Sequence, residues 1–139
     1  MNDGTASQSL RDEHPRGSRV RSILRGLMGS TAGSVNAAAA ITSDGMIIAS
    51  VLQDGVDADR FAAMSASLLA LAEREINEIQ RGRLRQLLIE GTEGAVLLVQ
   101  AGSDAVLAVS AEPNALIGKV FLEARRAAGK LQECLADGE

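Results

Sequence analysis

Hydrophobic positions recur with two different periods along the chain, and their order predicts the elements of the fold. Apolar residues recur every three or four positions in three segments, which predicts helices starting near residue 18, over 57–80 and from residue 113 onward. Five short apolar runs between them predict strands, at 37–42, 46–51, 83–90, 95–100 and 104–110. The predicted order is α-β-β-α-β-β-β-α. It indicates an α/β (α+β) domain with a single five-stranded, mostly antiparallel sheet flanked by helices.

Turn and capping residues support this order of elements. Asp44 and Gly45 lie between the first two apolar runs and predict a tight hairpin in which both residues take positive φ. The loops between the last three strands are short, and short loops join antiparallel neighbours. Asp57 is the predicted N-cap of the central helix, and Asn114 is the predicted N-cap of the last helix.

The N-terminal segment differs from the rest of the chain. Residues 1–17 are polar, contain glycine and proline, and show no apolar period, which predicts a disordered tail. Residues 18–139 then form one domain. A domain of this length can bury a core without a metal ion or a disulfide.

Apolar residues of the central helix cover about 160° of its circumference in helical projection, which is wider than one contact with a sheet requires. They are Phe61, Met64, Leu68, Leu69, Leu71, Ala72, Ile76 and Ile79. The surplus width predicts a second partner surface on this helix. Glu75 lies within the same arc. Its carboxylate either reaches solvent from the margin of the core or faces a protein partner, and the sequence leaves both alternatives open.

Composition argues against several classes of function. A net charge of −4 and the lack of tryptophan and tyrosine disfavour a dedicated nucleic-acid-binding protein, which needs a basic excess or aromatic stacking residues. Few aromatic residues also disfavour a small-molecule sensor. We expect no membrane span, because no apolar run approaches about 20 residues. One cysteine and no recognisable signal peptide favour a cytoplasmic protein.

Candidate catalytic chemistry is sparse. His14 lies in the predicted tail, where we expect it to be solvated, and Cys134 lies in the last helix, where we expect a structural thiol. The chain has neither a phosphate-binding glycine motif nor the acidic spacing of a calcium loop. The sequence therefore predicts no catalytic residues, no metal ligands and no cofactor, and indicates a protein that is not an enzyme.

The order and spacing of these segments resemble the roadblock / dynein light chain family, in particular its prokaryotic stand-alone members. The resemblance covers about residues 18–136. It is carried by AAAAITSDGMIIAS at 37–50, FAAMSASLLALAE at 61–73, the strand region at 84–118 and VFLEARRAAGKL at 120–131. It implies the roadblock (profilin-like) architecture. It also implies a dimer in which third strands pair and central helices lie side by side.

The resemblance further implies a function in protein binding. Family members regulate or scaffold Ras-like small GTPases, so we expect a non-catalytic homodimer with such a GTPase as its partner. The alternative is a structural adaptor, similar to a motor light chain, with no effect on GTPase activity.

Residues of the third strand support self-association. The predicted strand at 83–90 places Leu87 and Ile89 on one face and Leu84 and Leu88 on the other. An apolar strand at a sheet edge is an aggregation hazard, and pairing with a second copy removes that edge. The predicted dimer interface comprises Met64, Leu68, Leu71, Glu75, Arg83, Leu84, Arg85, Leu87, Leu88 and Ile89.

Overall fold

A computed structural model of the chain describes residues 14–136, within which three helices and five strands follow the predicted order. The helices are α1 (Gly17–Ser30), α2 (Ala58–Glu78) and α3 (Ile117–Ala136). The strands are β1 (Val35–Thr42), β2 (Ile47–Val51), β3 (Gln86–Gly91), β4 (Gly94–Ala101) and β5 (Ala105–Ala111).

The first helix begins one residue before its predicted start near residue 18. Residues 1–13 of the predicted tail lie outside the described residues. Residues 14–16 form a turn, and α1 begins at Gly17. Within this turn the backbone N–H of Arg16 donates to Nδ1 of His14 at 3.0 Å, so the imidazole accepts a hydrogen bond just before the helix. The expectation that His14 is a solvated tail residue is therefore wrong, because its ring is half-buried and bonded to the backbone.

The five strands form one sheet in the order β2-β1-β5-β4-β3, and all four neighbouring pairs are antiparallel. The hairpin between β1 and β2 has a three-residue loop, closed by a hydrogen bond from Thr42 N–H to the Met46 carbonyl at 2.8 Å. Gly45 has φ +94°, whereas Asp44 does not have positive φ. The prediction that both residues take positive φ is wrong, because a three-residue loop needs only one left-handed residue.

Both faces of the sheet are covered. Helices α1 and α3 pack side by side on one face, over a core that includes Val20, Leu24, Leu107 and Leu131. Helix α2 covers the other face, over a core that includes Ala39, Ile41, Ala62, Leu69 and Leu98. The four consecutive alanines of β1 are buried because helices approach this strand closely from both sides.

The two predicted helix caps have different outcomes. Asp57 Oδ1 accepts a hydrogen bond from Arg60 N–H at 3.1 Å, which confirms the N-cap of α2. Asn114 lies in a turn with Pro113, and α3 begins only at Ile117. The predicted cap at Asn114 is wrong, because the Leu116 carbonyl accepts the first hydrogen bonds of this helix.

Strand β3 is shorter than predicted. Residues 83–85 belong to the connection from α2, which passes through Gln80 and Gly82 at φ +59° and +87°. The side chains of Leu84 and Leu87 both pack against the core beneath α2. The prediction that Leu84 shares a face with Leu88 is therefore wrong, since strict alternation begins only where the strand begins.

Candidate protein-binding surface

No compact catalytic site is evident in the described part of the chain. Among residues 14–136, no group of three or more histidine, cysteine, aspartate or glutamate side chains is placed to hold a metal ion. None of the helices in this range combines the length and hydrophobicity needed to cross a bilayer. Cys134 is only 5% exposed and packs in the core beneath α1 and α3, as expected for a structural thiol.

Helix α2 has two apolar faces, and only one of them contacts the sheet. Ala62, Ser65 and Leu69 are buried against the sheet. A flank of the helix exposes a line of large apolar side chains, which continues to the C-cap residue and which we call the outward stripe: Met64 (56% exposed), Leu68 (41%), Leu71 (60%) and Ile79 (58%). Met64, Leu68 and Leu71 are spaced by four and three residues, the spacing of the seam along which two helices pack.

Glu75 lies on the outward stripe, one turn beyond Leu71, and is exposed. It does not lie in the core of the subunit. The half-buried carboxylate of this region is Glu73, whose Oε1 accepts a hydrogen bond from Leu84 N–H at 3.2 Å. Glu73 thus attaches the connection before β3 to the central helix. Sequence reasoning missed this role, although helical spacing from Leu69 and Ile76 places Glu73 on the sheet-facing side.

Strand β3 lies at an edge of the sheet and pairs only with β4 among the described strands. Gln100 N–H donates to the Arg85 carbonyl at 3.2 Å, and the register continues through Leu87 opposite Leu98. Because bonded and non-bonded pairs alternate in an antiparallel ladder, Leu87 and Ile89 direct their backbone groups toward β4. Gln86, Leu88 and Glu90 direct theirs outward. The free edge therefore presents a regular row of donors and acceptors.

Side chains on this edge are apolar on both faces. Leu87 and Ile89 lie opposite Leu98 and Val96, on the face that carries α2. Leu88 lies on the face that carries α1 and α3. Leu88 is 37% exposed and Ile89 is 38% exposed. An apolar strand with an unpaired outer edge is suited to pairing with another strand rather than with water.

The ten residues predicted for the interface fall into three places. Met64, Leu68, Leu71 and Glu75 lie on the outward stripe of α2, and Leu87, Leu88 and Ile89 lie in the edge strand. Arg83, Leu84 and Arg85 lie in the connection before β3, where both arginines are exposed and Leu84 packs inward. Of these ten residues, Leu84 and Leu87 pack against the same core beneath α2.

Comparison with known proteins agrees with this architecture. The family model described as Roadblock/LC7 domain matches residues 24–111, which is more than half of the chain. The chain belongs to the Roadblock/LC7 domain family. The predicted resemblance is therefore confirmed.

One sequence relative and two solved structures are similar to this chain. The chain is 37% identical over 92 residues to the uncharacterized protein MJ0310 of Methanocaldococcus jannaschii, covering 66% of this chain and 80% of that protein. The structure of Myxococcus xanthus MglB superposes with a TM-score of 0.81 at 18% identity, covering 88% of this chain and 92% of MglB. Acanthamoeba castellanii profilin IA superposes with a TM-score of 0.58 at 18% identity, covering 84% and 95%. The predicted profilin-like fold is confirmed.

Proposed function

We propose that this roadblock protein is a non-catalytic homodimer that binds a Ras-like small GTPase and regulates or scaffolds it. The proposal is supported by membership of the Roadblock/LC7 domain family together with the function that the sequence resemblance implies. The observation that carries it is the pairing of an outward apolar stripe on α2 with a free apolar edge on β3. Exposed apolar surface of this kind marks a protein-binding face.

The hydrogen-bonding pattern of β3 restricts how two copies pair. Only Gln86, Leu88 and Glu90 direct backbone groups outward, so these residues must bond to their counterparts in the second copy. A symmetric antiparallel pair has a two-fold axis beside one residue of the strand. Strand β3 spans Gln86–Gly91. A two-fold axis beside Leu88 or beside Ile89 pairs most of these residues with residues of the second copy.

Side-chain chemistry selects between these two registers. An axis beside Leu88 sets Leu88 against its own copy, Leu87 against Ile89, and Gln86 against Glu90. Each cross-strand pair is then matched in polarity, and the Gln86 amide can donate to the Glu90 carboxylate. An axis beside Ile89 would instead set Leu88 against Glu90. We therefore place the two-fold axis beside Leu88, perpendicular to the sheet.

This axis also brings the two α2 helices to the same face of a ten-stranded sheet, running antiparallel. The outward stripes can then contribute to the interface together with the strands. Self-association in this way removes the free edge that the monomer would expose.

The experiment that tests the function is affinity capture from the native cell followed by mass spectrometry. We expect a small GTP-binding protein among the captured proteins, at a level that depends on whether GDP or a slowly hydrolysed GTP analogue is present. GTP hydrolysis and nucleotide release by that GTPase are then measured with and without the roadblock protein. A change in either rate supports regulation, and binding without a change supports the scaffolding alternative. Capture that contains no GTPase would contradict the proposal.

A further inference from the structure

Charge differs between helices α1 and α3 and the rest of the described residues. We call residues 16–30 and 117–136 the two-helix layer, since they comprise α1 with the residue before it and α3. Residues 16–30 contain four arginines and no acidic residue, and α3 contains two arginines, two lysines and two glutamates. The layer therefore has eight cations, two carboxylates and a formal charge of +6. The other described residues have five cations and eleven carboxylates, a formal charge of −6.

Most cations of the layer point into solvent. Arg19, Arg25, Lys119, Arg125, Arg126 and Lys130 are exposed, and Arg16 and Arg21 are half-buried. By contrast, Glu123 is turned between the helices. Its side chain is 16% exposed, its Oε1 accepts from Ser30 Oγ at 3.2 Å, and its Oε2 lies 3.5 Å from Arg126 Nη1. Glu123 therefore pairs with one cation of the layer, Arg126, and the other exposed cations extend beyond it.

The outermost line of each helix has mostly short or apolar side chains, and Glu133 at the end of α3 is the exposed carboxylate on it. Helical spacing from the buried residues places Ser22 and Gly29 of α1, and Leu122 and Gly129 of α3, farthest from the sheet. Leu122 is 48% exposed. The two helices lie side by side on the sheet, and short side chains along their crests let a flat surface approach closely. Arginine and lysine side chains beside the crests can extend to such a surface.

We propose that the two-helix layer binds the surface of an anionic lipid membrane, with α2 turned toward water. This inference rests on the proposed dimer. A two-fold axis perpendicular to the sheet places both layers on one side, so a flat surface would meet four helices with twice the charge of one subunit. Attraction between cations and an anionic leaflet accumulates with the number of cations near it. Residues 57–85, which include α2, contain five arginines and five carboxylates and so have no excess of cations. The basic layer therefore orients the dimer and leaves α2 accessible to a protein partner.

The test is sedimentation of the full-length protein with lipid vesicles. Vesicles of phosphatidylcholine alone are compared with vesicles in which one third of the lipid is phosphatidylglycerol. We expect sedimentation only with the anionic vesicles, at about 0.1 M salt. Binding should be lost at about 0.5 M salt, where the Debye length falls from about 10 Å to roughly 4 Å. No binding to anionic vesicles at the lower salt concentration would overturn the inference.

Paired charge-reversal variants locate the binding face. Arg25→Glu with Arg125→Glu changes the outer surface of the layer, whereas Arg60→Glu with Arg81→Glu makes the same change in net charge on the other side. The first pair should weaken vesicle binding at least about tenfold, and the second should have little effect. Equal loss in both variants would show that net charge alone is responsible. Circular dichroism confirms that each variant is folded.

Binding to another polyanion is a distinct outcome. Protein that binds polyglutamate or single-stranded DNA, but not anionic vesicles, would show that the layer recognises an acidic macromolecule and would overturn the membrane assignment. Light scattering on the same samples reports the dimer separately. If the protein is a dimer that does not bind anionic vesicles, only this inference is contradicted. If it is a monomer that binds them, only the proposed dimer is contradicted.

Discussion

Gly94 is a position at which the backbone leaves little room for a side chain. Its φ is +141°, and a Cβ atom built there would lie 2.7 Å from the Ala111 carbonyl oxygen. Gly94→Ala should lower the free energy of unfolding by about 1–3 kcal/mol, because backbone rather than a movable side chain blocks the methyl group. Urea denaturation at fixed protein concentration measures this loss.

A glycine in open space provides the control. Gly129 lies on the exposed side of α3, and a Cβ atom there would meet nothing within 4 Å. Gly129→Ala should stabilise the protein by about 0.5–1 kcal/mol through helix propensity. Equal effects from the two substitutions would contradict the steric explanation for Gly94.

Glu75 follows Leu71 on the outward stripe by one turn and is exposed. In the proposed dimer it enters an apolar helix–helix contact, where loss of water around its charge opposes association. Glu75→Leu should therefore tighten the dimer by about 1–3 kcal/mol, as measured by analytical ultracentrifugation. Asp59→Leu, an exposed carboxylate of α2 on the flank away from the outward stripe, is the matched control. A weaker dimer in Glu75→Leu would show that an arginine of the second copy, such as Arg83 or Arg85, pairs with this carboxylate.

At the scale of elements, strand β3 determines how the subunit associates. Leu88→Arg should abolish dimerisation at micromolar concentration, since two guanidinium groups would meet across the proposed two-fold axis. Light scattering should give a mass near that of the 14.4 kDa monomer for this variant and twice that value for the unmodified chain.

The control for this prediction is Leu122→Arg. Leu122 is similarly exposed but lies on α3, outside the proposed interface. It should leave the dimer unchanged. A dimer that survives Leu88→Arg would contradict pairing through β3, and a dimer lost in both variants would indicate a general effect on folding.

At the scale of the whole molecule, the two sides of the sheet have different roles in our proposals. One side carries the outward stripe of α2, and the other carries the two-helix layer. Neither side contains a phosphate-binding glycine motif in the sequence. Calorimetry of the purified protein with GTP, GDP and ATP should therefore give no heat beyond dilution. Micromolar binding of any nucleotide would contradict a function that depends on a separate GTPase.

The element order could be predicted from sequence because the local period of apolar residues indicates which side chains face the core. Asp57 was recognisable as a cap for the same reason, since its hydrogen-bond partner Arg60 lies three residues away. The start of β3 and the start of α3 were misplaced. Residues 83–85 and 113–116 have strand-like or cap-like composition, but the chain uses them as connections.

The sequence by itself determined the elements, their order and the surplus apolar width of α2, because each depends on residues within a few turns of one another. Tertiary structure decided which part of that width faces the sheet and which part remains exposed as the outward stripe. It also decided that β3 lies at the edge, that Glu73 rather than Glu75 bonds toward the core, and that the cations of α1 and α3 form one layer. These features depend on how segments that are distant in sequence pack against one another, and the local pattern of apolar residues does not indicate that packing.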